Sequence, residues 1–436
     1  MGGKCERGTR NAERESRRSF RLPRSDFRVG NMSLVDRVRA LLGDDAVDVA
    51  ATHDGVPRVA PASPDAVALL LGTAREEGWH VRIEGAGSWL PTDAPVDLAL
   101  TTRRLDHVPA IEPQDLAATV EAGIGCDLLR QQLADRGTWL ALDPPGLAGR
   151  SLGSVVATAT AGPLRQGFGP VRDHLLGVTF VTGDGRLVQS GGRVMKNVAG
   201  YDLTKLAAGG FGAFGVIVLV HLRLRALPRA DQTLVLEGSR EELAQVSEDI
   251  AAAAVQPAAH ELMSPALARR ERWLLAVRFA GSAALVSAEE TALRAATGGG
   301  GRFTQLRADE AHALWMRAAE SFATRPVTFR IGGLPDSSDE LLDLLQHQVG
   351  DEWISASPGV GAIRWGGETT VDRLRRLRRS LAGLEVPLTL ERASWPVRAA
   401  VGHFGAYREG VGPLVAGLRR TFDPAEAFVV AVEGAE

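Results

Sequence analysis

The spacing of apolar and polar residues predicts alternating helices and strands from about residue 34 onward. Apolar residues recur at helical spacing over residues 34–42, and Gly43 follows as a helix stop. The segment Ser63-Pro64-Asp65 is typical of a capped helix start, and this helix is predicted to reach Gly78. A short strand over residues 81–83 then leads directly into a glycine-rich segment.

The alternation continues as far as Pro228. The turn residues Gly183-Asp184-Gly185 divide residues 174–190 into a predicted β-hairpin. The other predicted elements are strands at 97–101, 116–121 and 215–227, an amphipathic helix at 126–136, and a small-residue helix at 151–160.

A second pattern follows Pro228. It predicts strands at 273–279, 327–331, 362–365 and 388–391, and helices at 282–296, 337–349 and 371–381. This order predicts a split β-α-β sheet of ferredoxin-like character. The expected fold class is therefore α+β, with one domain over residues 32–228 (core 50–228) and a second over residues 229–400.

Composition narrows the class of protein. The chain has 436 residues and a formal net charge of −3, which gives no field that would attract nucleic acid. Its two cysteines, Cys5 and Cys126, are too few for a disulfide framework or an iron–sulfur cluster, so a cytoplasmic location is expected. The aliphatic run at 216–220 is far shorter than the ~20 residues that span a bilayer.

Residues 1–31 differ from the rest of the chain. They carry nine Lys or Arg residues and four acidic residues, with almost no apolar periodicity. We expect a disordered or mis-started basic extension ahead of Met32, and a targeting or anion-binding tail is the alternative.

The first candidate site is Glu84-Gly85-Ala86-Gly87-Ser88, directly after a strand. Two glycines permit positive φ, so that successive backbone N–H groups can point into one concavity and bind phosphate. An ordinary tight turn is the alternative. Neither a Rossmann nor a Walker loop fits, because Trp89-Leu90-Pro91 follows.

Three further segments carry candidate chemistry. Residues 151–157 are small and open a helix, whose N-terminus favours anions, although close helix packing is the alternative. Residues 191–203 are polar, glycine-rich and irregular, as functional loops often are. Residues 209–217 bring a glycine-rich turn into a strand, where backbone groups could reach an adenine or a ribose.

The order of these four segments resembles the FAD-binding domain of the p-cresol methylhydroxylase and vanillyl-alcohol oxidase superfamily over roughly residues 50–228. Within it, the chain is most similar to the E subunit of bacterial glycolate oxidase. The similar motifs are the run from Gly192 to Leu203, Ala161-Gly162-Pro163-Leu164-Arg165, Val171-Arg172-Asp173, Phe329-Arg330 and Phe422-Asp423-Pro424.

The resemblance implies a two-lobed FAD-binding domain of this type, a ferredoxin-like cap domain, and a helix within 401–436 that packs back on the first domain. It also implies FAD as the cofactor. The residues expected to bind it are Glu84, Gly85, Ala86, Gly87, Ser88, Pro145, Ser151, Leu152, Gly153, Ser154, Ala157, Gly162, Arg165, Asp173, Lys196, Gly200, Tyr201, Asp202, Gly215, Val216 and Ile217.

Two departures from the family pattern bear on these expectations. Ser154 stands where a second glycine is usual, which narrows the cofactor pocket unless its hydroxyl bonds to FAD. Residues 429–432 replace a usual Asn-Pro-Gly-Arg, which puts the C-terminal contacts with the first domain in doubt. Residues 84–89 contain no His and residues 150–157 no Cys, so we expect the FAD to be non-covalent.

Three functions remain open. The first is an FAD-binding subunit of a glycolate oxidase-like complex that oxidises 2-hydroxy acids to 2-oxo acids, with a D-type flavoprotein and an iron–sulfur protein as partners and a peripheral membrane location through them. The second is a stand-alone FAD-dependent oxidase or dehydrogenase of alcohols or hydroxy acids. The third is a non-catalytic scaffold.

Substrate binding has only general candidates. Arg330, Arg364 and Arg392 could clamp a carboxylate, and interdomain ion pairs are the alternative. The nine histidines are scattered without metal-ligand spacing, so we predict no metal site and identify no catalytic base.

Overall fold

The computed structural model describes residues 32–48, 55–192, 202–253, 255–298, 303–350, 352–405, 407 and 409–430. The chain begins with a small sheet in the order β1-β2-β4-β3. Its strands are β1 (Val47–Asp48), β2 (Arg58–Val59), β3 (Val81–Glu84) and β4 (Leu98–Thr101), flanked by helices α1 (Leu34–Leu42) and α2 (Pro64–Glu77). The neighbours β2 and β3 both run parallel to β4.

Helix α2 forms where its capping residues predict it. The Ser63 hydroxyl accepts from the backbone N–H of Ala66 at 3.1 Å, and Pro64 occupies the first turn. Gly78 ends the helix in the left-handed conformation, with φ +69°. The predicted helix from Ser63 to Gly78 is therefore confirmed.

A five-stranded antiparallel sheet in the order β5-β6-β10-β8-β9 forms the second lobe. Its strands are β5 (Ala110–Glu112), β6 (Ala117–Glu121), β8 (Leu175–Val181), β9 (Leu187–Gly191) and β10 (Val216–Arg223). The strands β7 (Thr138–Trp139) and β11 (Arg225–Ala226) pair separately. The helices are α3 (Cys126–Ala134), α4 (Leu152–Thr158), α5 (Arg165–Phe168) and α6 (Leu203–Ala207). The predicted hairpin at 174–190 is confirmed as β8 and β9.

The second half of the chain forms one eight-stranded sheet in the order β15-β12-β14-β13-β17-β18-β16-β19. Its strands are β12 (Ala230–Gly238), β13 (Ala259–Met263), β14 (Trp273–Gly281), β15 (Thr304–Gln305), β16 (Val327–Gly332), β17 (Trp353–Ser357), β18 (Ala362–Gly367) and β19 (Leu388–Arg392). Its helices are α7 (Arg240–Ala252), α8 (Pro265–Ala268), α9 (Ala283–Ala296), α10 (Ala308–Ser321), α11 (Ser338–Val349) and α12 (Val371–Gly383). Two helices follow the sheet, α13 (Trp395–Val401) and α14 (Val411–Phe422).

This sheet contains the ferredoxin-like order twice. Strands β12 to β15 lie in the order 4-1-3-2, and strands β16 to β19 repeat that order, counted within each half. The halves join where β13 pairs with β17. The predicted ferredoxin-like character is confirmed, but the sequence analysis found only β14 and α9 of the first half and missed β17 of the second.

The two faces of the sheet differ in chemistry. One face carries the larger apolar core, in which Phe329 and Trp365 stack with ring centroids 5.0 Å apart under helices such as α11 and α12. Because side chains alternate along a strand, the neighbours Arg330 and Arg364 lie on the opposite face, toward the first two lobes. The strands thus place charged side chains between the domains.

The chain returns to the first lobes after α14. Phe422 packs against Phe180 and Phe214, with ring centroids 5.8 and 6.2 Å away. Val81 donates to the Ala427 carbonyl at 2.7 Å, and Val429 donates back to Val81 at 3.1 Å. These bonds place the segment beside β3 despite the valines that replace the usual motif. Among the described residues, no helix is long and apolar enough to cross a bilayer.

Candidate cofactor cleft and interdomain charges

A cleft lies between the two small lobes and the cap domain. Its walls are the loop at 84–92, the exposed side of α4 and the turn at 211–217. Residues beyond these segments complete it, namely Thr102, Arg398, His403, Val429 and Val430.

The loop after β3 has the features of an anion-binding nest. Gly87 is left-handed, with φ +72°. The backbone N–H groups of Ala86, Gly87 and Ser88 have no hydrogen-bond acceptor among the residues that the structure describes. Unpaired amides on a concave loop suit the oxygens of a pyrophosphate, so the loop fits the group that the sequence predicts for it.

Buried ion pairs brace the base of this loop. The carboxylate of Glu84 lies 3.0 Å from Arg58 Nε and 2.7 Å from Arg82 Nε. The hydroxyl of Thr101 donates to the Gly85 carbonyl at 2.7 Å. The Glu84 side chain, predicted as a cofactor contact, therefore forms ion pairs that hold the loop in shape.

Gly85 and Gly87 are needed for different reasons. Gly85 does not have positive φ, which corrects the expectation of two left-handed glycines. A Cβ at Gly85 would lie 2.0 Å from the Ser151 hydroxyl oxygen, so glycine permits close contact with the start of α4. A Cβ at Gly87 would meet nothing nearer than 3.6 Å, and there the constraint is the backbone conformation.

Helix α4 contributes packing to the cleft and little anion binding. Its first N–H groups already donate within the protein: Leu152 to the Ile124 carbonyl at 3.0 Å and Gly153 to the Ala122 carbonyl at 2.6 Å. The expectation of an anion site at this helix start is wrong, because these amides are used.

Ser154 is accommodated by a buried arginine. Arg150 is only 1% exposed, and its Nε and a terminal nitrogen donate to the Ser154 hydroxyl at 3.2 and 3.0 Å. The same guanidinium lies 4.7 Å from the ring centroid of Trp89, which lines the cleft. Burial lowers the pKa of Arg150 to about 10, so the group stays charged at neutral pH.

The predicted cofactor residues divide into three groups. Those that line the cleft are Glu84, Gly85, Ala86, Gly87, Ser88, Gly153, Ser154, Ala157, Gly215, Val216 and Ile217. Those described but away from its walls are Pro145, Ser151, Leu152, Gly162, Arg165, Asp173 and Asp202. Lys196, Gly200 and Tyr201 lie outside the described residues.

The sequence analysis did not predict the residues with which the cap domain lines the cleft. Arg398 and His403 line the cleft although they lie more than 180 residues beyond Gly215 in sequence. No local pattern marks them, since a single arginine or histidine after a strand carries no motif. Phe211 was inside a predicted segment but was not selected.

The cap domain also holds the loop directly. Arg392 donates to the Trp89 carbonyl at 2.6 Å, and Arg398 donates to the Pro91 carbonyl at 2.9 Å. Arg398 also lies 2.8 Å from the Asp93 carboxylate. The cofactor loop is therefore fixed by both domains.

The charged face of the cap sheet centres on Glu391. Arg364 binds its carboxylate with two donors, at 2.7 and 3.2 Å, and also donates to the Ala161 carbonyl at 2.8 Å. Arg330 lies 3.6 Å from the same carboxylate. Of the predicted clamp, Arg364 and Arg392 donate hydrogen bonds to protein groups, whereas Arg330 has the 3.6 Å ion pair with Glu391.

Charged groups of both signs meet between the domains. Burial would raise the pKa of Glu391, but Arg364 and Arg330 bring it below its usual value, so it is ionised. Burial lowers the pKa of Arg165, the nearby charges of Arg330 and Arg364 lower it further, and Asp173 acts in the opposite direction. Arg364 also lies near the buried carboxyls of Glu261 and Asp143. The repulsion between Arg165 and Arg330 favours an anionic ligand beside them.

The comparisons with known proteins agree with the cleft. Residues 57–191 match the family model described as "FAD binding domain". The chain is 37% identical over 132 residues to glycolate oxidase subunit GlcE of Escherichia coli, a match that covers 30% of this chain and 38% of that protein. It is 28% identical over 212 residues to glycolate oxidase subunit GlcD of Bacillus subtilis, covering 47% and 44%. The chain spans less than half the length of these relatives.

Solved structures share the fold. The 4-ethylphenol oxidase from Gulosibacter chungangensis superimposes with a TM-score of 0.67 over 90% of this chain and 94% of that one, at 14% identity. The fold, the cleft and the matched segment define an FAD-binding protein. The chain is an FAD-dependent oxidoreductase with FAD as its cofactor, and it is related over part of its length to the glycolate oxidase subunits above. Non-covalent attachment stays a prediction.

Gly87→Ala should weaken FAD binding at least tenfold, because the left-handed conformation costs an alanine about 1 kcal/mol or more and the loop would shift its amides. Gly78→Ala is the matched control, since Gly78 has φ +69° and open space around it but lies far from the cleft. FAD titration by fluorescence measures both. Equal FAD affinity in the two variants would show that the loop is an ordinary turn.

Glu261→Gln should change how stability depends on pH. Burial raises the pKa of Glu261 to about 7, although Ser355 donates to it at 2.5 Å. A raised carboxyl pKa means that the folded state binds the proton more tightly, so this group's contribution to stability falls as pH rises from about 4.5 to about 7.

The Glu261→Gln variant lacks this titrating group. Its free energy of unfolding relative to that of the native protein should therefore be higher at pH 8 than at pH 5. Urea midpoints at both pH values measure the difference. The exposed Glu340→Gln serves as the charge control. If the urea midpoint of Glu261→Gln differs from that of the native protein by the same amount at both pH values, the raised pKa of Glu261 is contradicted.

Proposed function

We propose that this chain is the FAD-binding subunit of a glycolate oxidase-like complex that oxidises a 2-hydroxy acid to a 2-oxo acid. The observation that carries the proposal is that Arg165 of α5 and Arg330 of the cap sheet lie close enough to repel each other, and neither donates a hydrogen bond to a described residue. The names of the two glycolate oxidase subunits above support the same substrate class.

A carboxylate subsite at Arg330 and Arg165 fits this substrate class. Neither guanidinium has a hydrogen-bond acceptor among the described residues, and the nearest carboxylate to Arg330, at 3.6 Å, is already bound by Arg364. Guanidinium groups bind carboxylates through two parallel hydrogen bonds. An incoming carboxylate would offset the repulsion between the two arginines.

The oxidation removes a hydride from the substrate carbon and a proton from its hydroxyl, and bound FAD supplies the two-electron acceptor. A base near the hydroxyl is also needed. The buried His403 is a poor base, because burial lowers its pKa to about 3. The exposed cluster of Asp106, His107 and Glu121 lies on β6 and the segment before it, away from the cleft. These facts support a division of labour in which partner subunits complete the chemistry.

Electrons must also leave the flavin. Two cysteines are too few for an iron–sulfur cluster, so the proposal includes a partner that carries one. A D-type flavoprotein is the other proposed partner.

The isolated chain should bind FAD yet reduce an artificial dye slowly with glycolate or D-lactate. Co-expression with D-type and iron–sulfur subunits should yield a complex with dye-linked activity, because the partners supply the base and the electron exit. The two rates are compared per bound FAD. Full turnover by the isolated chain would favour the stand-alone dehydrogenase instead.

Arg330→Met should weaken binding of a 2-oxo acid to the FAD-loaded chain by roughly 10- to 100-fold, the usual value of a charged hydrogen bond. Glyoxylate or pyruvate is titrated while the flavin absorption spectrum is followed. Arg172→Met is the control, because Arg172 is 63% exposed and lies beside Asp173. Unchanged affinity of Arg330→Met for the 2-oxo acid would rule out this carboxylate subsite. The conclusion that the chain binds FAD would still stand.

A further inference from the structure

His403 lies on the cap-domain side of the cofactor cleft, 212 residues beyond the segment that matches the FAD-binding family. The residue is 1% exposed. It follows α13 and pairs with β19, because the Leu390 N–H donates to the His403 carbonyl at 2.7 Å. Its position is thus fixed by the cap sheet.

One ring nitrogen of His403 has a defined role. Nδ1 lies 2.6 Å from the Leu390 carbonyl oxygen, which can only accept, so Nδ1 carries the proton. Burial lowers the pKa of the ring to about 3, and the charges of Arg398 and Arg378 act in the same direction. The ring is therefore neutral, and Nε2 holds a lone pair.

That lone pair has no donor among the residues that the structure describes. The buried histidines His260 and His221 have hydroxyl partners: His260 Nε2 lies 3.2 Å from the Ser247 oxygen and His221 Nδ1 lies 3.0 Å from the Thr119 oxygen. His174 Nε2 is buried without a partner, but His174 does not line the cleft. The ring of His403 lines the cleft, where a ligand can supply the donor.

A residue of the FAD-binding lobe with a strained backbone conformation packs on this ring. Phe211 has φ +51°, a conformation that bulky side chains rarely adopt. Its ring stacks on His403 with centroids 3.9 Å apart and planes 24° apart, and Phe404 meets it edge-on at 5.4 Å. Two domains thus hold the imidazole at the cleft wall.

We propose that His403 is a cofactor-binding residue of the cap domain, which accepts a hydrogen bond through Nε2 from a hydroxyl or amino group of FAD. The cofactor then binds to both domains rather than to the FAD-binding domain alone. The inference rests on FAD binding and is independent of the proposed substrate.

The test separates the two ring nitrogens. His403→Asn keeps an amide donor near the Nδ1 position and removes the acceptor, whereas His403→Gln places an amide oxygen near the Nε2 position. We expect His403→Asn to raise the dissociation constant of FAD about fivefold, the usual effect of one neutral hydrogen bond, and His403→Gln to recover most of the loss.

His260→Asn is the matched control, since His260 is equally buried at 1% exposure and lies away from the cleft. FAD affinity is measured by fluorescence titration, and folding by circular dichroism and thermal melting. A folded His403→Asn variant with native FAD affinity, or a Gln variant no better than the Asn variant, would overturn the proposal.

A measurement on the native chain covers the case in which the variants do not fold. Hydrogen exchange is followed by mass spectrometry with and without FAD. Peptides from the 85–92 loop and the peptide that contains His403 should both exchange more slowly with FAD. Protection of the loop alone would overturn the proposal.

Discussion

Three main-chain carbonyls of the loop at 85–93 are bound by side chains from outside the loop. Arg392 and Arg398 of the cap domain donate to the Trp89 and Pro91 carbonyls, and Thr101 donates to the Gly85 carbonyl. With these carbonyls bound, the amides of Ala86, Gly87 and Ser88 have no acceptor among the described residues. A nest made of backbone groups has no side chain to hold its shape, so its anchors decide whether it can bind a pyrophosphate.

Burying arginines on the charged sheet face costs hydration free energy, and the carboxylate of Glu391 offsets part of this cost. Each buried arginine loses several kcal/mol of hydration, and an ion pair recovers part of it only when the geometry is good. Glu391 satisfies Arg364 in this way and also reduces the repulsion at Arg330. Arg150 is held by neutral oxygens, and the charges of Glu391 and Glu320 act on it from further away.

Much of the FAD-binding half could be predicted from the sequence, because its signals are local. Capping at Ser63 and Gly78, the turn before β9 and the glycines of the loop each act within a few residues. The cap was harder to predict. Strand β13 includes His260 and Glu261 with every residue buried, so it has neither polar alternation nor an apolar run.

The missed site residues have the same explanation. Arg398 and His403 become cleft residues only through the pairing of β19 and the position of α13. Conversely, the start of α4 looked suited to an anion, but carbonyls of the turn at 122–124 accept from its amides. Hydrogen bonds between distant segments decide both cases, and one sequence does not encode them locally.

Trp89 shows how the two domains depend on each other during synthesis. It belongs to the cofactor loop, yet its side chain is 2% exposed and packs with cap residues such as Met263, Leu274 and Phe322. The lobes that carry the loop leave the ribosome well before those residues. Until the cap is made, this indole has no apolar partner there and the loop lacks two of its anchors. We therefore expect FAD to bind only late in synthesis. Before then, chaperones can recognise the exposed indole.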